Sequence, residues 1–337
     1  MEKIVLALDS RDIGGIETHV LILAGALNAA GHAATVLRIA DHGPHPMDAA
    51  ASGHGVDVRV LPHEGGNLPA WLKRNGISLL HTHGYKAGIL GRMTRPLHCR
   101  PVVSTFHNGD RGSGKLALYT ATDRLTARMS HNIAVSREIA GQLPGTPTVI
   151  DNFVDVPPPD CRPQGRCVGF VGRLSHEKGP DLFVELARRL PDIDFVMFGG
   201  GPMQDELSRG LPVNLTMAGS VPGMDRHWRC LSLLVMPSRQ EGLPMAALEA
   251  MAHGVPVAAF GVGGLPDLIG DGVDGYLARP GDMDALARTV FARASSTDAE
   301  RRAMSQAARE TIRRCFSAEA QLTKVLEVYA RALGREL

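Results

Sequence analysis

The sequence predicts an α/β protein made of two Rossmann-like domains, each built on a parallel sheet. Three observations carry this. Short apolar runs alternate with helical stretches along nearly the whole chain, the pattern of β-α-β units. At 337 residues the chain exceeds what one hydrophobic core usually supports. A proline-rich stretch, Pro157-Pro158-Pro159-Asp160-Cys161-Arg162-Pro163, interrupts the alternation near the middle, and a sheet interior does not accept that much proline. The expected division is a first domain over 1–156, a second over 157–315 and a closing helical segment over 316–337.

In the first domain Ile4 to Leu8 reads as a strand ending at Asp9, and the loop Ser10 to Glu17 carries Gly14 and Gly15. Paired glycines at a strand-to-helix turn let a ligand approach the backbone closely, although an ordinary tight turn uses the same pair. A helix bearing His19, Leu23 and Leu27 follows. Thr35 to Ile39 and Val56 to Leu61 are strands on either side of a loop, Asp41 to Gly55, rich in Gly, Pro and His. Ile77 to His83 is the next strand, and Pro101 to Phe106 the one after it, leading into His107. Alternation places His81 and His83 on one face at a carboxyl end, where open α/β sheets put ligands. They could serve as metal ligands, but no third ligand of suitable spacing is visible. Ser130 to Ser136 is a strand, Arg137 to Gln142 a helix and Thr148 to Ile150 a strand.

The second domain opens on a strand ending at Gly172. Arg173 and Lys178 then share one connecting loop before a helix that follows Pro180, with its amphipathic stretch from Leu182 to Leu190. A guanidinium fork and a point-charge ammonium at a strand's carboxyl edge suit a diphosphate. Strands at Asp194 to Phe198 and Leu215 to Ala218 end in Gly199-Gly200-Gly201 and Gly219-Ser220-Val221. The run Leu231 to Met236 suits a buried strand, and Gly242-Leu243-Pro244 opens a helix whose first position tolerates proline. Glu241 sits just ahead of that start and Glu249 two turns inside, with Ala246, Ala247 and Ala250 around it. Small neighbours admit a ligand, and the free N–H groups of a helix start favour phosphate. Val255 to Phe260 is a strand leading to Gly263 and Gly264, Asp271 to Leu277 holds a turn and a short strand, Asp282 caps a helix from Met283, and Asp298 to Leu337 is helical by pattern.

Composition narrows the function. With 44% hydrophobic and 21% charged residues the chain is expected to be soluble. No run nears the ~20 apolar residues of a spanning helix, and the first strand follows Met1 without a signal segment, so a cytoplasmic location is expected. Five cysteines, Cys99, Cys161, Cys167, Cys230 and Cys315, form no C-x-x-C pair and read as reduced thiols. Residues 71–137 hold eleven Lys or Arg against Asp110 and Asp123. That excess is either a solvated basic face or an attraction to an anionic membrane surface or lipid-diphosphate acceptor. Few aromatics accompany it, so nucleic acid is not an expected partner.

Four patterns together resemble one family. Glu241 and Glu249 make E-x7-E, residues Gly172 to Gly179 make G-R-x4-K-G, Gly14 to His19 reads G-G-I-E-T-H, and Asn152-Phe153-Val154-Asp155 matches N-x-V-D. In combination they are similar to the group 1, family 4 retaining glycosyltransferases of GT-B fold, in which two Rossmann-like domains face each other across a cleft. The resemblance implies that Glu241 lies by the donor sugar and Glu249 holds the nucleotide ribose. Arg173 and Lys178, beside Gly172 and the turn at Gly242 and Leu243, would clamp the diphosphate, with Gly14 and Gly15 also at the donor phosphates. Val221 would meet the base through backbone atoms, Gly263 and Gly264 would face the sugar, and His107 would stand beside the reacting sugar and acceptor. The closing helix would cross back to the first domain.

The implied activity is transfer of a hexose-like sugar, with retention, from a nucleoside diphosphate sugar to a sugar or lipid-linked acceptor hydroxyl, in cell-surface polysaccharide or glycolipid synthesis. No cofactor is implied and no metal is expected. Asp192-Ile193-Asp194 falls at the amino end of its strand, opposite the ligand edge, and Asp282-Met283-Asp284 starts a helix. Two other readings share the architecture: an epimerase or phosphorylase, and a non-catalytic nucleotide-sugar-binding subunit.

Overall fold

Thirteen strands, all paired in parallel, form two sheets among the residues that the computed structural model describes, 1–11, 14–62, 67–107, 114–158, 165–221 and 223–337. The chain divides into two units, Met1–Asn152 with Ala318–Leu337, and Phe153–Ser317. Pro159 to Pro163 of the proline-rich stretch, Cys161 among them, and Asp110 and Arg111 of the basic segment lie outside the described residues.

The first unit contains β1 (Lys3–Leu8), β2 (Ala33–Arg38), β3 (Asp57–Val60), β4 (Leu79–His83), β5 (Val102–Phe106), β6 (His131–Ala134) and β7 (Thr148–Val149), in the order β3-β2-β1-β4-β5-β6-β7. From Ile4 to Leu8 no residue is more than 1% exposed, because helices cover both faces of a parallel sheet and its central strand must be apolar throughout. The second unit contains β8 (Cys167–Val171), β9 (Phe195–Phe198), β10 (Leu215–Gly219), β11 (Leu231–Met236), β12 (Val257–Phe260) and β13 (Gly275–Ala278), in the order β10-β9-β8-β11-β12-β13. In each sheet the order grows outward from its first strand and then reverses. The reversal falls between β1 and β4 in one unit and between β8 and β11 in the other. Loops leaving those strands at their carboxyl ends part in opposite directions and open a crevice.

Two local expectations are corrected and a third is refined. Pro46–Gly53 is a helix inside the expected Asp41–Gly55 loop. Its proline occupies the first turn, where no N–H is missed, His45 caps it by accepting the Met47 N–H, and Met47 and Ala51 are its buried face. The helix expected from Gly242 starts at Met245 and runs to Ala252. Pro244 is its cap in extended conformation, at φ −76° and ψ 130°, and the Pro244 carbonyl accepts from Ala247 and Leu248. The closing segment is helical as expected, in more than one piece: Asp298–Thr311 runs into a π turn, Ile312–Phe316, then Ser317 turns extended before the helix Ala318–Leu333. The Val154 N–H donates to the Phe316 carbonyl at 3.0 Å beside that break.

The helix Ala318–Leu333 belongs to the first unit, where Tyr329 is fully buried and its hydroxyl meets His81 Nδ1 at 2.7 Å. The basic segment is not a single exposed face. Arg92 is buried and paired with the Asp123 carboxylate, and it also donates to Ser104 Oγ and Thr126 Oγ1. Lys86 pairs with Asp9 at the end of β1.

Candidate active site

At the β8/β11 reversal two loops are laced together. A short 3-10 turn, His176–Lys178, follows β8, and Gly179 ends it at φ +67°. A Cβ on Gly179 would stand 2.2 Å from the Pro237 carbonyl oxygen in the loop after β11. Only glycine lets the two loops approach this closely. The N–H groups of Arg239 and Gln240 both donate to the Glu177 carbonyl, and the Arg239 guanidinium grips Asp181 with two hydrogen bonds of 2.9 and 2.6 Å.

This lacing delivers Lys178 to Glu241. The ammonium Nζ lies 2.7 Å from Glu241 Oε2, and Ser238 Oγ donates to Oε1 at 2.8 Å. The Glu241 side chain is 2% exposed and that of Lys178 30%, so the acid is held inside while its cation reaches the surface. Lys178 and Glu241 thus form one unit, where the sequence suggested separate contacts to diphosphate and sugar. Ammonium has three N–H donors, and only one is turned to Glu241. Arg173 is exposed, its carbonyl accepts from the Ser175 N–H, and its side chain has no hydrogen bond or ion pair among the described residues. Glu177 is held below the usual carboxyl range, first by the Ser175 hydroxyl and then, more weakly, by the charges of Lys178 and Arg173.

The glycines sort into two kinds. Gly263 lies at φ +58°, and a Cβ there would be 1.9 Å from the Glu241 carbonyl oxygen; the Gly264 N–H donates to the Gly242 carbonyl at 2.8 Å. These two buttress the Glu241 turn from behind. Gly242 is exposed, and a Cβ on it would meet nothing within 4 Å. Its lack of a side chain answers no need of the fold. Gly172 donates to the Phe198 carbonyl across the sheet edge, and Val221 is half-buried beyond β10. Leu243 is 6% exposed, so its side chain serves the core and only its backbone faces outward.

Glu249, half-buried on the helix Met245–Ala252, is pushed up to about 7, chiefly by burial and secondarily by the Asp225 carboxylate. No side chain of the described residues neutralises it. Asp194 directly precedes β9 and lies at the amino edge of the sheet, away from Arg173. Asp282 caps the helix Met283–Ser295 by accepting the Ala285 N–H at 2.8 Å.

In the first unit Gly14 and Gly15 are exposed at the start of the helix Gly15–Ala29, and the Gly14 N–H donates to the Glu17 carboxylate at 2.9 Å. That amide is therefore already used. His107, just past β5, meets His83 Nδ1 through its Nε2 at 3.0 Å and takes the edge of the His19 ring at a centroid distance of 5.0 Å. Burial pushes His107 down to about 4, partly opposed by a hydrogen bond with the Asn152 side chain, and holds His19 and His83 below the ordinary range as well. His81, on the same face as His83, is turned to Tyr329 and to Thr105 Oγ1. No third metal ligand was visible in sequence beside His81 and His83; folding brings His19 and His107 to His83, and one ring nitrogen from each of these three lies within 4.8 Å of the others. Sequence spacing also missed Glu177 and Arg239, whose backbone pairing joins loops about sixty residues apart, and Ser238, which no motif marks although it is three residues from Glu241.

Two family models match the chain: "Glycosyltransferase Family 4" over residues 13–156 and "Glycosyl transferases group 1" over 165–293. A 2-deoxystreptamine glucosyltransferase of Streptomyces kanamyceticus is 33% identical over 253 residues, 65% of each chain. A D-inositol 3-phosphate glycosyltransferase of Mycobacterium marinum is 28% identical over 331 residues, 86% of this chain and 69% of the relative. The chain thus spans about two thirds of the length of these relatives. Among solved structures, Anabaena HepE in complex with UDP-glucose superposes with a TM-score of 0.81 at 20% identity, covering 98% of this chain and 100% of that one. Sucrose-phosphate synthase of Thermosynechococcus elongatus gives 0.79 at 20% identity, covering 99% and 100%. With one family model on each of its two parallel-sheet units, the chain belongs to the group 1, family 4 glycosyltransferases of GT-B fold.

Proposed function

We propose that this glycosyltransferase moves a hexose-like sugar from a nucleoside diphosphate sugar to an acceptor hydroxyl, keeps the anomeric configuration and needs no metal. The observation that carries the reading is the Lys178–Glu241 unit beside the exposed Arg173, set at the β8/β11 reversal. Two cations at that edge offset the charge that grows on the departing diphosphate. Glu241 has both oxygens hydrogen-bonded, which makes it a poor covalent nucleophile. The acceptor hydroxyl then attacks from the face the diphosphate leaves, the diphosphate oxygen takes its proton, and catalysis is positioning plus charge stabilisation. Glu249 accepts from the ribose hydroxyls, and the open space at Gly242 admits the phosphates.

The test begins with thermal-shift screening against UDP-, GDP- and ADP-sugars, since a true donor stabilises the fold by mass action; UDP-glucose, bound in the HepE neighbour, comes first. The stereochemistry of the product then decides. An inverted linkage overturns the mechanism, and turnover abolished by a chelator and restored by magnesium overturns metal independence. Free monosaccharide without an acceptor product indicates an epimerase or phosphorylase, and binding without turnover on any acceptor a non-catalytic subunit.

The acceptor we infer is lipid-linked or lies on an anionic membrane, in polysaccharide or glycolipid synthesis. No helix of the described residues is long and apolar enough to cross a membrane. The support is Leu118 and Leu125, 71% and 73% exposed on the helix Lys115–Thr126, with Leu97 and Met93 also exposed, all within the Lys- and Arg-rich segment 71–137. Apolar side chains among cations suit an anionic lipid surface. Sedimentation with anionic vesicles, lost in Leu118→Asp/Leu125→Asp, tests it. The relatives named for cyclitol acceptors favour a second reading, a small polyol acceptor, which is indicated if vesicles do not bind and inositol phosphates or aminocyclitols accept sugar.

A further inference from the structure

Sugar transfer calls on His107 alone among the histidines at the carboxyl edge of the first sheet, yet three rings converge there. His83 Nδ1 and His107 Nε2 stand 3.0 Å apart, and one nitrogen from each of His19, His83 and His107 lies within 4.8 Å of the others. Zinc–imidazole bonds of about 2.0–2.1 Å in a tetrahedron set the ligating nitrogens about 3.3–3.4 Å apart. The His83–His107 pair already spans nearly that bite. The widest separation has to close by no more than about 1.5 Å.

The chemistry of the donor set agrees. Imidazole suits zinc, copper, nickel and iron, and three histidines leave a fourth position for water or a substrate oxygen. Burial holds all three rings below the ordinary imidazole range, which favours the neutral form that can ligate. Neither nitrogen of His83 is committed elsewhere in the fold. Nδ1 faces His107, and Nε2 is buried with no hydrogen-bond partner among the described residues. Neighbouring groups hold the rings in place. His81, held between Tyr329 and Thr105 at 2.7 Å each, packs on His83 with ring centroids 4.3 Å apart, and the Asn152 side chain bonds His107.

We propose that His19, His83 and His107 form a binding site for a divalent transition ion, of which Zn²⁺ fits best, and that occupancy switches sugar transfer off by taking His107 out of use. The proton between His83 and His107 shifts to the other nitrogen of the ring that carries it, the ion takes the two lone pairs so freed, and it draws in His19. Metal binding stands on the geometry alone; the switch rests on the transferase reading.

The experiment uses full-length, untagged, metal-stripped protein titrated with Co²⁺, whose visible absorbance reports coordination by imidazole. One equivalent is expected to bind and Zn²⁺ to displace it. His19→Gln and His83→Gln should each weaken Co²⁺ binding at least about tenfold, while His176→Gln leaves it unchanged; thermal melts show which variants are folded, and His19→Asn stands in if one is not. A wild-type protein without a saturable one-to-one signal, or a signal kept in both folded variants, overturns the site. In the activity arm Zn²⁺ should lower wild-type turnover at least about tenfold, reversed by a chelator, and the ratio of turnover with and without Zn²⁺ should approach one in His83→Gln. Unchanged or raised turnover on loading overturns the switch. Should no donor and acceptor give product, the transferase reading fails and the Co²⁺ titration still decides the metal site.

Discussion

Glu249 gives donor binding a pH dependence whose size follows from the structure. Its carboxyl is pushed up to about 7 by burial and by the Asp225 carboxylate, against an ordinary value near 4.3. In the proposed complex the ribose hydroxyls donate to a carboxylate, so the donor selects the ionised form. With a pKa of about 7, roughly one molecule in ten is ionised at pH 6 and nine in ten at pH 8, so donor affinity should fall about tenfold from pH 8 to pH 6. The sign for the free protein is opposite. A raised carboxyl pKa means the folded state holds a proton that the unfolded chain has lost; that stabilisation is complete below the ordinary carboxyl value and disappears as pH rises through about 7. Isothermal titration with an intact sugar nucleotide, which lacks the terminal phosphate that titrates near 6, should show release of about half a proton at pH 7. Glu249→Gln should bind more weakly at pH 8 and show no slope between pH 6 and 8. A flat wild-type affinity, or a Gln variant that keeps the wild-type slope, refutes the assignment of Glu249 to the ribose.

Three further outcomes are expected. Arg173→Ala and Lys178→Ala should each lose about 2.7–4 kcal/mol of barrier stabilisation, or 10²–10³ in kcat, if each acts as a preorganised donor to the leaving group; Lys178→Ala should also lower the melting temperature, since it strips the buried Glu241 of its cation, and a variant near wild-type turnover removes that residue from the site. Gly263→Ala should cut turnover at least about tenfold by displacing the Glu241 carbonyl that its Cβ would overlap, whereas Gly242→Ala should melt like the wild type and bind donor less tightly; equal donor affinity in Gly242→Ala removes the phosphates from that turn. Arg92→Ala should cost about 3–5 kcal/mol in urea unfolding, because Asp123 would keep a buried charge without its partner, and a loss under about 1 kcal/mol would show that the pair is solvated.

What could be read from the residues, and what could not, divides by the range of the interaction. β8, β11 and the cap at Asp282 follow from apolar runs and one side-chain oxygen, which are local signals, and they appear within a residue or two of expectation. The helix Met245–Ala252 starts just past its expected opening for a physical reason. Proline's fixed φ serves equally at the first helical position and at the cap, and only ψ, 130° at Pro244, tells them apart. Arg92 joined a count of surface charge because nothing near it in sequence announces Asp123, and Tyr329 meets His81 across 248 residues. The three histidines escape sequence spacing for the same reason: His19 comes from a helix and His83 and His107 from two strand ends, so only the fold brings them together. The glycines show what the structure adds to a motif. In sequence Gly242 and Gly263 are alike, each in a loop that follows a strand. Once folded, Gly263 has a steric reason to be glycine and Gly242 has none. The open space at Gly242 is where the proposed reading seats the donor phosphates against the backbone, and the Gly242→Ala variant is the test of that placement.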